Sequence, residues 1–110
     1  MDAREPLAAR IREALAARPD VVEKKMFGGI GFMLRGNMAV CAGSQGDLLV
    51  RVEPDEVDVL IREPGVTTFG REGAKPMSGF VLVDAAGLGD DAFAAWVDRG
   101  ADRAMSLPPK

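Results

Sequence analysis

The 110-residue chain contains no histidine and no tyrosine, a single cysteine, and only 5% aromatic residues. Without histidine, Ser-His-Asp and Cys-His nucleophilic catalysis, imidazole-ligated zinc and imidazole proton shuttles are excluded. Cys41 cannot close a disulfide or form a CxxC pair within the chain. That fits a reducing compartment and excludes cysteine-based zinc sites in one chain. No uninterrupted apolar run approaches the roughly 18 residues that signal a membrane span. Met1-Asp2-Ala3-Arg4-Glu5-Pro6 also lacks a basic stretch leading into an apolar one, as a secretion signal would have. The expectation is a cytoplasmic protein with no membrane association.

Positive charge is in deficit as well. Lys and Arg total 14 against 17 Asp and Glu, a formal charge of -3. An autonomous nucleic-acid binder has the opposite balance, so direct nucleic-acid binding is not expected.

What is present is 47% apolar material in a length typical of one domain. The chain reads as a single domain over residues 1–110, with its core over about 7–105. Residues 6–18 place Leu7, Ile11, Ala14 and Leu15 at helical spacing, and Pro19-Asp20 ends the pattern. Apolar runs over 22–27, 30–34, 38–42 and 48–52 follow, joined by Gly28-Gly29, Arg35-Gly36-Asn37 and a 43–47 connection with two glycines. Such connections make sequential hairpins. One parity gathers Ile30, Phe32, Leu34, Met38, Val40, Leu48, Val50 and Val52 as the face toward the helices. The other mixes Met33, Cys41 and Leu49 with Arg35 and Arg51, too apolar for a fully solvated face.

Glu53-Pro54-Asp55-Glu56 reads as a helix start, with Val57, Leu60 and Ile61 as its buried stripe. A short strand over 66–69, a charged loop over 70–75 and a strand over 76–83 come next. Asp90-Asp91 then caps a last helix carrying Phe93, Trp96, Val97, Gly100, Ala101, Ala104 and Met105. The fold class is therefore α+β: an antiparallel β-sheet meander with flanking helices, in the order α-β-β-β-β-α-β-β-α.

Three glycines after a strand with two lysines nearby invite comparison with a phosphate cradle. The dinucleotide fingerprint, however, needs a helix start after its glycines, and the Walker loop needs Gly-Lys-Ser/Thr. Met26, Phe27, Gly28, Gly29 and Gly31 therefore read as a structural signature, a tight turn between neighbouring strands. Lys24, Lys25, Arg35, Arg71 and Lys75 would form a ligand or partner surface if the fold gathered them. Cys41 reads as a packed thiol and Trp96 as the anchor of the last helix. The acids have no spacing that defines a metal cage, and no cofactor is indicated.

Lys25-Met26-Phe27-Gly28-Gly29-Ile30-Gly31-Phe32, Gly36-Asn37-Met38, Leu48-Leu49-Val50-Arg51-Val52, Phe69-Gly70-Arg71, Lys75-Pro76-Met77 and the Trp96 helix together resemble the N-terminal domain family of the TfoX/Sxy competence regulators. The resemblance spans about residues 15–108. It implies a compact α+β domain and a bacterial cytoplasmic regulatory module; the competence regulators act as coactivators beside a separate DNA-binding factor. Those regulators carry a second, helical C-terminal domain that these 110 residues do not include, so competence regulation is not carried over by resemblance alone. The family supplies no catalytic residues to transfer. The expectation is a noncatalytic interaction module with a protein partner or a second copy of itself. An anion- or small-molecule-binding protein using the Lys/Arg loops is the alternative.

Overall fold

The computed structural model describes residues 4–26, 28–43, 45–69 and 79–109. Helix α1 (Arg4–Ala14) buries Leu7, Ala8 and Ile11. It begins before Pro6 because a proline in the first turn gives up an N–H that has no helical partner there. Past Ala14 the chain tightens into turns, with the Leu15 amide still bonded to the Ile11 carbonyl at 2.9 Å. Asp20, at φ 62°, redirects it into the sheet.

Six antiparallel strands follow: β1 (Val21–Met26), β2 (Gly29–Leu34), β3 (Asn37–Ala42), β4 (Asp47–Arg51), β5 (Val66–Thr68) and β6 (Phe80–Asp84). Their spatial order is β1-β2-β3-β4-β6-β5. The meander holds through β4; β6 then enters between β4 and β5, so the last two strands pair in reversed order. The expected 70–75 loop and the start of the last strand at 76–78 lie outside the described residues. Between β4 and β5, a 3-10 turn (Pro54–Glu56) leads into the one-turn helix α2 (Val57–Leu60), where Leu60 alone is fully buried.

Two turns show why their residues are there. Arg35 and Gly36, at φ 55° and 83°, join the paired residues Leu34 and Asn37 as a two-residue hairpin of the I′ type. Gly28, at φ 72°, lies between β1 and β2, and a Cβ on Gly29 would collide with the Ala42 carbonyl of β3. The glycines thus sit between neighbouring antiparallel strands and not at a helix start.

One expectation about the faces is corrected. Phe32 pairs with Val40, but Met33 pairs with Met38, so Ala39 is an extra residue in β3. This bulge reverses the alternation below it. Met38 consequently leaves the helix-facing core and joins Cys41, Leu49 and Phe80 in a second cluster on the opposite face, with Met33, Phe69 and Leu82 packed against them. The rest of the expected core set, from Ile30 to Val52, does face the helices.

Helix α3 (Asp90–Ser106) covers that face together with α1, burying Phe93, Trp96, Val97, Gly100, Ala101 and Ala104. Asp90 and Asp91 are not its cap. Gly89 holds that position without a side-chain bond, and the two acids occupy the first turn, where they favour the positive end of the helix dipole. At mid-length the helix meets β3 backbone to backbone: a Cβ on Gly100 would lie 2.5 Å from the Ala39 carbonyl oxygen and 2.8 Å from Val40 Cγ1.

Gly100→Ala is therefore expected to destabilise by about 1–3 kcal/mol through overpacking, although alanine favours an isolated helix by about 1 kcal/mol over glycine. Urea unfolding measures this; a variant as stable as the parent would show that the two backbones can separate without loss.

Candidate interaction surface

Of the cationic residues singled out from sequence, the three that are described, Lys24, Lys25 and Arg35, do not converge. Lys24 and Lys25 are consecutive in β1 and exposed, so they project from opposite faces of the sheet. Arg35 sits at the far end of the same hairpin, because Val21 pairs with Leu34 while Lys25 pairs with Ile30. Its guanidinium is engaged at the end of α3, donating from Nη1 to the Met105 carbonyl at 3.3 Å. Arg71 and Lys75 lie outside the described residues. Of the signature residues, Gly28, Gly29 and Gly31 occupy the β1–β2 hairpin, with Gly31 paired between Lys24 and Cys41. Met26 ends β1, and Phe27 lies outside the described residues.

Sequence reasoning missed three polar residues that fasten elements to one another, Asn37 and Arg10 at the helices and Arg51 within the sheet. Asn37, 2% exposed, donates from Nδ2 to the Pro108 carbonyl at 2.9 Å and to the Ala104 carbonyl at 3.5 Å. With Arg35 it satisfies carbonyls left open at the end of α3, where positive charge also suits the dipole. Arg10 donates to the Ala85 and Leu88 carbonyls, each at 3.2 Å, and lies 4.0 Å from the centre of the Phe93 ring. Arg51 donates to the Met38 carbonyl at 2.6 Å and stacks 4.6 Å from the centre of the Phe80 ring. Burial, and then the nearby Arg103, lower its pKa. The only available signal was Asn37 following Gly36, where a polar side chain starts a strand; nothing local to Arg10 or Arg51 announces a partner distant in sequence.

Several surface charges are paired across elements. Arg18 reaches Asp102 at 2.9 Å and Asp98 at 3.4 Å, Arg99 reaches Glu56 at 3.1 Å, and Arg103 reaches Glu53 at 3.7 Å. The last two pairs line an open groove of about 600 Å³ between the 53–56 segment and α3. Arg12 holds Glu23 with two bonds, Nε to Oε2 at 2.8 Å and Nη2 to Oε1 at 2.7 Å, tying α1 to β1. The Arg12 hydrogen bond keeps the Glu23 carboxyl below the usual carboxylate range. Cys41, 3% exposed within the second apolar cluster, has its thiol pKa raised by burial. Among the described residues no group of three or more Cys, Asp or Glu side chains could hold a metal ion, and no helix is long and apolar enough to cross a membrane.

The second sheet face, a candidate docking surface on its composition, has its central apolar side chains already covered: Cys41, Leu49 and Phe80 are 3%, 4% and 6% exposed. Among the described residues, the large apolar side chains left open are Val22, Val59 and Met105, at 58%, 60% and 41%. Val22 belongs to the open edge strand β1.

A single antiparallel sheet with apolar clusters on both faces and helices on one side defines a small α+β domain. Residues 13–104 match the model of the TfoX N-terminal domain, and the chain belongs to that family. No curated protein and no solved structure matches it.

Two solution properties follow. Because the folded Glu23 pKa lies below its unfolded value, the Arg12 interaction contributes its full stability above the unfolded pKa of about 4.3 and loses it as pH falls through the lower folded value. The stability advantage of the parent over Glu23→Gln is thus constant near neutrality and shrinks on acidification below about pH 4; urea titrations across that range read it, and a gap that widens in acid contradicts the assignment. Cys41 in the native chain is expected to react with a disulfide reagent at least about a hundredfold more slowly than in the urea-unfolded chain, since reaction requires opening of the second cluster.

Proposed function

We propose that the chain is a small noncatalytic interaction module, a regulatory domain of the TfoX type that contacts a protein partner and serves as a transcriptional co-regulator. The observation that carries this reading is the family match over residues 13–104. The paired surface charges and the buried thiol with its raised pKa support it, since neither offers an activated nucleophile or a proton-transfer pair. An overall charge of -3 favours contact with a protein over direct contact with nucleic acid. Anion binding through Lys24, Lys25, Arg35, Arg71 and Lys75 finds less support, because the three described cations diverge.

Affinity capture from the native cytoplasm, with and without crosslinking, tests this reading. The expected result is one dominant protein partner that itself binds DNA, with no retention of the purified chain on DNA at physiological salt. Recovery of neither a partner nor a self-associated form would count against the module. Salt-sensitive DNA retention that disappears in Lys24→Glu or Lys25→Glu would replace it with direct nucleic-acid binding.

A further inference from the structure

We propose that the open edge of β1 is a strand-docking site that takes an extended acidic segment of a partner protein as a seventh strand of the sheet. The inference rests on the interaction-module reading and specifies where and by what chemistry the partner is held.

β1 pairs with β2 along all six of its residues without a bulge, and among the described residues no strand lies on its other side. In an antiparallel edge strand alternate residues turn their N–H and C=O groups outward, so β1 presents a continuous ladder of unfilled donors and acceptors. The opposite edge, β5, has only three residues. Sheet edges are commonly blunted by proline, a bulge, a short strand or a covering element. β1 has no proline, its residues 22–25 are exposed, and only its charges qualify what can pair with it.

Those charges select a partner. Glu23 is taken up by Arg12. Lys24 and Lys25 make no ion pair among the described residues, and they stand one on each face. A chain of net charge -3 therefore carries a cationic strip along its longest open edge. A second copy is a poor occupant. Two-fold pairing about an axis normal to the sheet keeps each face on its own side, so it sets residues of like parity opposite one another. The two registers that use most of β1 then centre on Glu23 against Glu23 or on Lys24 against Lys24. The second also opposes Glu23 to Lys25 twice, but that carboxylate is already held by Arg12 through two bonds, which leaves the like-charge contact at the centre uncompensated. An incoming strand with two successive acidic residues instead meets both lysines, one on each face. Val22, on the Lys24 face and 58% exposed, supplies an apolar contact two residues away.

The test uses a short synthetic peptide of alternating Thr and Val with two adjacent Glu residues, and a counterpart with Lys in place of Glu. The acidic peptide is expected to shift the backbone amides of residues 21–26 and slow exchange of the outward ones, while the lysine peptide does neither. Lys24→Glu combined with Lys25→Glu should weaken binding about tenfold or more, because two attractive cross-strand pairs become repulsive. Its unfolding midpoint should be unchanged, and Lys24→Gln and Lys25→Gln separately should give intermediate losses. Equal binding of both peptides, no response at 21–26, or dimerisation through β1 overturns the proposal. A cytoplasmic partner crosslinked only to surfaces away from 21–26 overturns the strand site and leaves the module reading intact. Acidic-peptide binding at β1 in a chain that captures no cytoplasmic protein supports the site and removes that reading.

Discussion

The seating of helix backbone directly on strand backbone, α3 over β3 at Gly100, sets the spacing that the packing of the helices must satisfy. No side chain separates the helix from the Ala39 carbonyl at that point. The helix is therefore seated by its shortest residue and steadied by its largest, with Trp96 and Phe93 filling the space nearer its start and Ala104 keeping it close near its end. Its two ends are then fastened by polar contacts: Arg10 on the loop that enters it, and Asn37 with Arg35 on the carbonyls where it stops. The residues of the Gly36-Asn37 turn thus act at long range, closing a hairpin and terminating a helix about 70 positions later.

The bulge at Ala39 belongs to the same arrangement. It places a small residue under Gly100 and reverses the strand below, sending Met38 to the opposite face. That reversal completes a second apolar cluster around Cys41 and Phe80, so the sheet is filled on both sides. A face that would otherwise have been an obvious place to bind becomes part of the interior. What stays open is the edge, and there the lysines of β1 have no ion pair among the described residues, while the adjacent Glu23 is committed to Arg12.

Much of this was legible in the sequence. Element order, the hairpin turns, the helix-facing parity of β2 and β4, and the role of Trp96 and Gly100 all follow from periodicity and glycine placement, because these signals are local. The position of Met38 was not legible, since a single added residue in a strand leaves the apolar pattern plausible while inverting its meaning. The reversed pairing of β5 and β6 was hidden for a different reason: strand order depends on which edges remain free, and no residue in 66–68 encodes its neighbour. The expected cationic surface failed to assemble from its described members because adjacent strand residues point apart, and because Arg35 is occupied by a helix end. Asn37 belongs to the Gly36-Asn37-Met38 motif, yet its bonds to the end of α3 span about 70 positions and leave no local trace.

The insertion of β6 between β4 and β5 also governs how the domain can be made on a ribosome. Residues 66–68 have no strand to join until residues 80–84 have emerged, and the lid formed by α3 comes later still. Accretion from the N-terminus can build a four-stranded half-sheet with β4 as a naked margin, but it cannot close the interior. Completion awaits the emergence of residues 90–106, so the seventeen-residue helix α3 acts as the keystone of a vectorially synthesised domain.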